Sequence, residues 1–146
     1  MTGSARLTEI PFERCLALLR EHNVGRLAVV VNDQPLIFPV NYALTGRSIV
    51  FRTDPGTKLH AAVGQRVAFE IDSADALYHD GWSVLVTGTA IEETDPLRLR
   101  QFEALPVRPW GPGPKSHWVS LRAGAVTGRA LVHEEATLEE PTCSNH

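Results

Sequence analysis

Turn signals fall about every 8 to 12 residues along this chain, and between them lie short runs of Val, Ile, Leu, Thr and Phe. Such spacing leaves room for many strands and for few helices of any length. Residues 26–31 form one β-branched run, Asn32-Asp33 marks a turn, and residues 36–43 form the return run of a hairpin. Pro39 sits inside that second run and has no N–H to give a ladder, so the strand must meet an edge or a bulge there. Thr45-Gly46-Arg47 turns the chain into a third strand over 48–53. Residues 67–72 alternate as a half-buried strand, residues 82–91 form a longer one containing Gly88, and residues 117–121 and 126–132 close the set. Three helices are expected. Thr8 is the N-cap of the first, whose apolar positions Phe12, Cys15, Leu16, Leu18 and Leu19 recur at helical spacing before the segment ends near Asn23. The second is short, over 57–63, and Asp95 caps a third that runs to about Ala104. The pattern predicts a mainly β (α+β) chain: a six- to seven-stranded antiparallel barrel with short flanking helices.

Charge narrows the function. Of 17 acidic residues, Glu134, Glu135, Glu139 and Glu140 lie in a tail that has no Lys or Arg, so the body carries 14 basic against 13 acidic residues and is close to neutral. No basic face or interleaved basic and aromatic stripe is visible, and nucleic acid is not expected as a partner. No run approaches 18 apolar residues and no charged-then-apolar leader opens the chain, so no membrane segment is expected and the cytoplasm is the expected location. Cys15 and Cys143 stand at opposite ends and give neither a disulfide framework nor zinc spacing. Residues 1–133 are expected to form one domain and 134–146 an acidic, disordered tail.

One segment carries the chemistry. Phe51-Arg52-Thr53-Asp54-Pro55-Gly56-Thr57-Lys58-Leu59 gathers two cations, two hydroxyls and a Pro-Gly turn where a strand runs into a helix. Backbone N–H groups at such a junction, with Arg and Lys nearby, suit a phosphate. The segment lacks the glycine cradle of a nucleoside-triphosphate loop, since Phe51 stands where its first Gly belongs. Neither a G-x-G-x-x-G fingerprint nor a G-x-S-x-G elbow occurs. The six histidines show no H-x-x-x-H spacing, and no metal site is expected.

The order Gly25-Arg26-Leu27-Ala28-Val29-Val30, Pro39-Val40-Asn41-Tyr42, Phe51-Arg52-Thr53 with Gly56-Thr57-Lys58, Phe69-Glu70-Ile71-Asp72, Gly81 to Gly88 and Val126-Thr127-Gly128-Arg129 resembles the pyridoxamine 5'-phosphate oxidase-like flavoproteins, most of all their nitroimidazole-resistance-type branch. The resemblance spans about residues 7 to 132. It implies a split β-barrel that dimerises and holds FMN between subunits. It places Arg52, Thr53, Thr57 and Lys58 at the cofactor phosphate, with Lys58 foremost and Phe51 at the strand end leading into the segment. Pro39, Val40, Asn41 and Tyr42 fall on the strand beside the isoalloxazine, and Trp82 and Ser83 on a segment that approaches the flavin from a neighbouring region or subunit; Trp110 is a further candidate to cap a neighbour's pocket. The C-terminal Arg and His motif with which the true oxidase binds its substrate is absent, so pyridoxamine phosphate oxidation is not implied. The expected activity is transfer of hydride or electrons to a small acceptor, with no particular catalytic side chain singled out, because the flavin carries the hard chemistry. The alternatives are a reductase using the 8-hydroxy-5-deazaflavin coenzyme and a non-catalytic flavin-binding or storage protein.

Overall fold

The computed structural model describes residues 5–57, 59–75, 80–108 and 117–133. Within them lie nine strands and two α-helices: β1 Ala5–Glu9, α1 Phe12–Glu21, β2 Val24–Val31, β3 Gln34–Asn41, β4 Ala43–Thr45, β5 Ser48–Thr53, β6 Arg66–Asp75, β7 Asp80–Glu92, α2 Pro96–Glu103, β8 His117–Arg122 and β9 Ala125–His133. Every pairing is antiparallel, in the order β3-β2-β6-β7-β8-β5-β4, with β9 pairing both β7 and β1. The sheet curls into a split barrel.

Two seams make the split. At the first, the outer strand leaves β2 at Asn41 and resumes beside β5 at Ala43, so that it serves both halves of the sheet and bends at Tyr42. Tyr42 fixes the bend, its N–H donating to Asn23 O at 2.9 Å and its hydroxyl to Leu19 O at 2.7 Å. At the second, one edge of β7 changes partner: residues Gly81 to Thr87 pair β9, and Ala90 to Glu92 pair β8. Gly88 sits between the two. A Cβ there would lie 2.3 Å from Arg122 O, so the β8–β9 turn crosses where only glycine leaves room.

Local chemistry explains the elements. Asn32 and Asp33 take φ of 51° and 64°, the paired left-handed conformation of a two-residue turn whose twist matches a hairpin. Pro39 faces outward on β3, which has β2 as its one neighbour, so the missing N–H costs no ladder bond. Buried Leu27, Val29, Ile49, Phe51, Phe69, Ile71, Val84, Val86 and Leu121 fill the barrel, and Cys15, Leu16, Leu18 and Leu19 of α1 close one end. A second, smaller cluster of Val50, Phe102, Val107 and Trp118 forms where α2 lies on the other side of β5 and β8.

Three expectations are corrected. Thr8 is not a helix cap; it lies in β1 opposite Ala130, and α1 begins at Phe12 behind Pro11, which supplies no side-chain cap. The helix expected over 57–63 is a single 3-10 turn, His60–Ala62, stopped by Gly64 at φ 84°. Among the described residues nine strands replace six or seven, because β1 carries no local strand signal and the run over 36–43 divides at Tyr42. Asp95 does cap α2, accepting from Leu97 N–H at 3.0 Å. The expected tail, 134–146, lies outside the described residues. Among the described residues no helix is long and apolar enough to cross a membrane.

Candidate functional site

Strand β5 delivers the chain to the loop over 54–59, and its alternation sorts the expected phosphate ligands onto two sides. Thr53 and its cross-strand partner His117 face one way; Arg52 and its partner Trp118 face the other. The guanidinium carbon of Arg52 sits 5.0 Å from the Trp118 ring centroid, a cation–π contact, and its Nε is buried without a hydrogen-bond partner. Phe51 is buried in the barrel, so its contribution to the site is to anchor the end of the strand.

Beyond Thr53 the loop is built by hydroxyls. Thr57 Oγ1 donates to Asp54 O at 2.8 Å, accepts from the His60 N–H at 3.1 Å, and lies 3.3 Å from Thr53 Oγ1. Pro55 starts the turn and Gly56 takes a φ of 79°, which a side chain would strain. Thr57 therefore shapes the loop while keeping its hydroxyl at the site. Lys58, foremost in the sequence reading, lies outside the described residues, as does Trp110.

The structure adds three residues that sequence spacing did not reveal. His117 Nδ1 lies 2.9 Å from Glu92 Oε1, His60 Nε2 lies 3.6 Å from the same oxygen, and the two imidazoles meet edge to face with centroids 5.6 Å apart. His60 follows the loop, Glu92 ends β7 and His117 begins β8, so the sheet joins positions up to 57 residues apart in sequence beside Thr53. Both rings face one carboxylate oxygen, His117 at hydrogen-bond distance and His60 at ion-pair distance only. Among the described residues no group of three or more His, Cys, Asp and Glu is placed to hold a metal ion. His60 Nδ1, like Arg52 Nε, is buried with no hydrogen-bond partner. His60 Nδ1 and the Thr53 and Thr57 hydroxyls lie beside one loop and suit an anion with several oxygens, while Arg52 Nε lies on the other side of β5.

The remaining candidates separate from this group. Val40 and Tyr42 are buried in the core, where burial pushes the Tyr42 phenol well above its usual range and the ring packs edge to face on Phe69. Asn41 Oδ1 accepts from the Arg108 N–H at 3.0 Å and so ties the chain after α2 to the first seam. Pro39 is exposed on the edge strand. Trp82 packs on His22, centroids 5.1 Å apart, at the C-terminal end of α1. Trp82 and Ser83 lie at the end of β7 opposite to Glu92, about 30 Å away along the strand. Ser83 pairs with Asp72 and Arg129 on the outer face, near a carboxylate pair. There Arg26 bonds both Glu70, at 2.9 Å, and Asp72; hydrogen bonds from Glu70 and Arg26 hold Asp72 low, while burial and Asp72 push Glu70 up.

The sequence pattern of the pyridoxamine 5'-phosphate oxidase family matches residues 12–137. The uncharacterized protein Rv0080 of Mycobacterium tuberculosis is 31% identical over 141 residues, covering 92% of each chain. Among solved structures, the FAD binding protein from Mycobacterium smegmatis superposes with a TM-score of 0.73 at 33% identity, over 84% of this chain and 97% of that one. A candidate 5-nitroimidazole antibiotic resistance protein from Bacteroides thetaiotaomicron shares the fold, with a TM-score of 0.68 at 10% identity over 90% and 91%. With its split barrel and its ordered motifs, the chain belongs to the pyridoxamine 5'-phosphate oxidase family.

Proposed function

We propose that this protein binds a flavin, FMN in the first instance, and uses it to pass hydride or electrons to a small acceptor in the cytoplasm. The observation that carries the reading is the loop at the end of β5, where the Thr53 and Thr57 hydroxyls and a buried, unpaired His60 Nδ1 border one turn, with Arg52 Nε, also unpaired, on the other side of the strand. Polar groups at such a strand-to-loop junction suit the terminal phosphate of FMN, and the resemblance to the FAD binding protein from Mycobacterium smegmatis supports a flavin in general. The flavin, when bound, supplies the redox chemistry. The chain's own part is to bind and orient. Thr57 keeps the turn in shape through Asp54 O and the His60 N–H, Trp118 holds the Arg52 guanidinium, and Asn41 fixes the chain after α2 beside the first seam.

The reading includes a homodimer. Trp82 and Ser83 lie too far along β7 to reach a flavin seated on the loop of their own chain, so a second copy would supply them. The outer face of the sheet offers the surface: Val30 and Ile37 are 59% and 67% exposed, and they border a groove of about 430 Å³ with Ala28, Pro35 and Ala68.

The purified protein should be yellow, or should take up FMN with an absorption spectrum close to that of bound flavin, and acid release should identify the compound. Uptake of a deazaflavin with none of FMN would replace this reading by the deazaflavin one. Tight FMN binding without turnover of any acceptor would favour storage.

A further inference from the structure

We propose that His60 recognises the phosphoryl group of the flavin through a proton that binding draws in, with the Glu92 carboxylate holding the imidazole from the opposite side. The inference rests on the flavin reading above and concerns the regulation of that same site. Glu92 Oε1 faces His60 Nε2, at 3.6 Å, and a carboxylate beside a ring nitrogen favours the tautomer that carries its hydrogen there. Nδ1 is then a bare lone pair. It is buried and has no hydrogen-bond partner, which is an uncompensated cost in the chain alone.

A phosphate brings acceptors only, so neutral His60 has nothing to offer it from Nδ1. The imidazolium does: it faces the Glu92 carboxylate from Nε2 at ion-pair distance, donates from Nδ1 to a phosphoryl oxygen, and so lies between two anions. The backbone N–H of His60 is held by Thr57 Oγ1, the same hydroxyl that stands 3.3 Å from Thr53, and the ring itself packs edge to face on His117. Among the described residues, the titratable groups facing His60 are Glu92 from β7 and His117 from β8, and Asp54 precedes it in the loop. β2 also packs on this turn, and its buried positions, Gly25, Leu27 and Val29, carry no charge. His117 already donates to Glu92 at 2.9 Å, so the carboxylate is shared and gains from a full positive charge on one of its partners.

Calorimetric titration of the full chain with FMN at pH 8, in two buffers of very different ionisation enthalpy, counts the protons taken up. At this pH the phosphate is itself a dianion, so a proton that enters belongs to the protein. The expected result is uptake of up to about one proton per FMN and none with riboflavin, which has the ring without the phosphate. His60→Gln should abolish the uptake and weaken FMN on the order of tenfold, with riboflavin affinity unchanged as the sign of an intact fold. Glu92→Gln should reduce the uptake by removing the counter-charge. FMN binding without proton uptake, equal uptake with riboflavin, or unchanged uptake in His60→Gln each overturns this inference and leaves the flavin reading standing. Failure of FMN to bind at all overturns both.

Discussion

Tyr42 has a structural role that its place in the sequence does not show. The sequence marks it as an aromatic on the strand beside the flavin; the structure shows its hydroxyl donating to Leu19 O, one of the last carbonyls of α1, which the helix itself leaves unsatisfied. His22 lies 2.7 Å from the preceding carbonyl, Leu18 O, through its Nδ1. Tyr42→Phe should therefore cost about 1 to 2 kcal/mol of stability, the price of a buried carbonyl left without a donor. The phenol is held protonated by burial, so the folded chain binds this proton more tightly than the unfolded one. Its contribution is present below the unfolded value of about 10 and is lost as pH rises past it. Thermal unfolding between pH 7 and 11 should show a steeper alkaline loss for the parent than for Tyr42→Phe; parallel curves would refute the assignment. Asn41 was legible in the same partial way. Its composition in an apolar strand demanded a partner, and the partner is the backbone of residue 108, beyond the reach of any local pattern.

Elements were legible to the extent that their causes are local. The two-residue turn at Asn32-Asp33, the strand Ser48–Thr53 and the cap at Asp95 all lie where the sequence puts them, since each depends on neighbours within a few residues. Asp95→Ala should cost about 1 kcal/mol by leaving the Leu97 N–H open, and because α2 presses Phe102 onto Trp118, the loosened helix should show in the Trp fluorescence during unfolding. An unchanged midpoint would mean that α2 is held by packing alone. β1 had no such signal. Its partner, β9, lies some 120 residues away, and Thr8 reads as a helix cap until that partner is known. The His60, Glu92 and His117 group escaped for the same reason: spacing in sequence says nothing of a carboxylate brought in by the far end of β7.

At the scale of the molecule, the proposed dimer turns on one face of the sheet. Neither α1, which closes an end of the barrel, nor α2, which lies on β5 and β8, covers Val30 and Ile37. A stable dimer buries on the order of 1,600 Å² in total, with apolar residues at its centre. Light scattering should give twice the chain mass for the parent protein and the single mass for Ile37→Glu, which sets a charge on the face without touching the core; a parent that is monomeric yet binds flavin tightly would remove the dimer from the reading. The pairing of β1 with β9 has a consequence in time. Glu9 meets Arg129 and Ala5 meets His133, so β1 is completed by a strand synthesised some 120 residues after it. At about 5 to 20 residues per second, β1 waits roughly 6 to 24 seconds for its partner, long enough for an open edge to find a neighbouring chain. Its short length and the charges of Arg6 and Glu9 on either side of Leu7 are what such a wait requires.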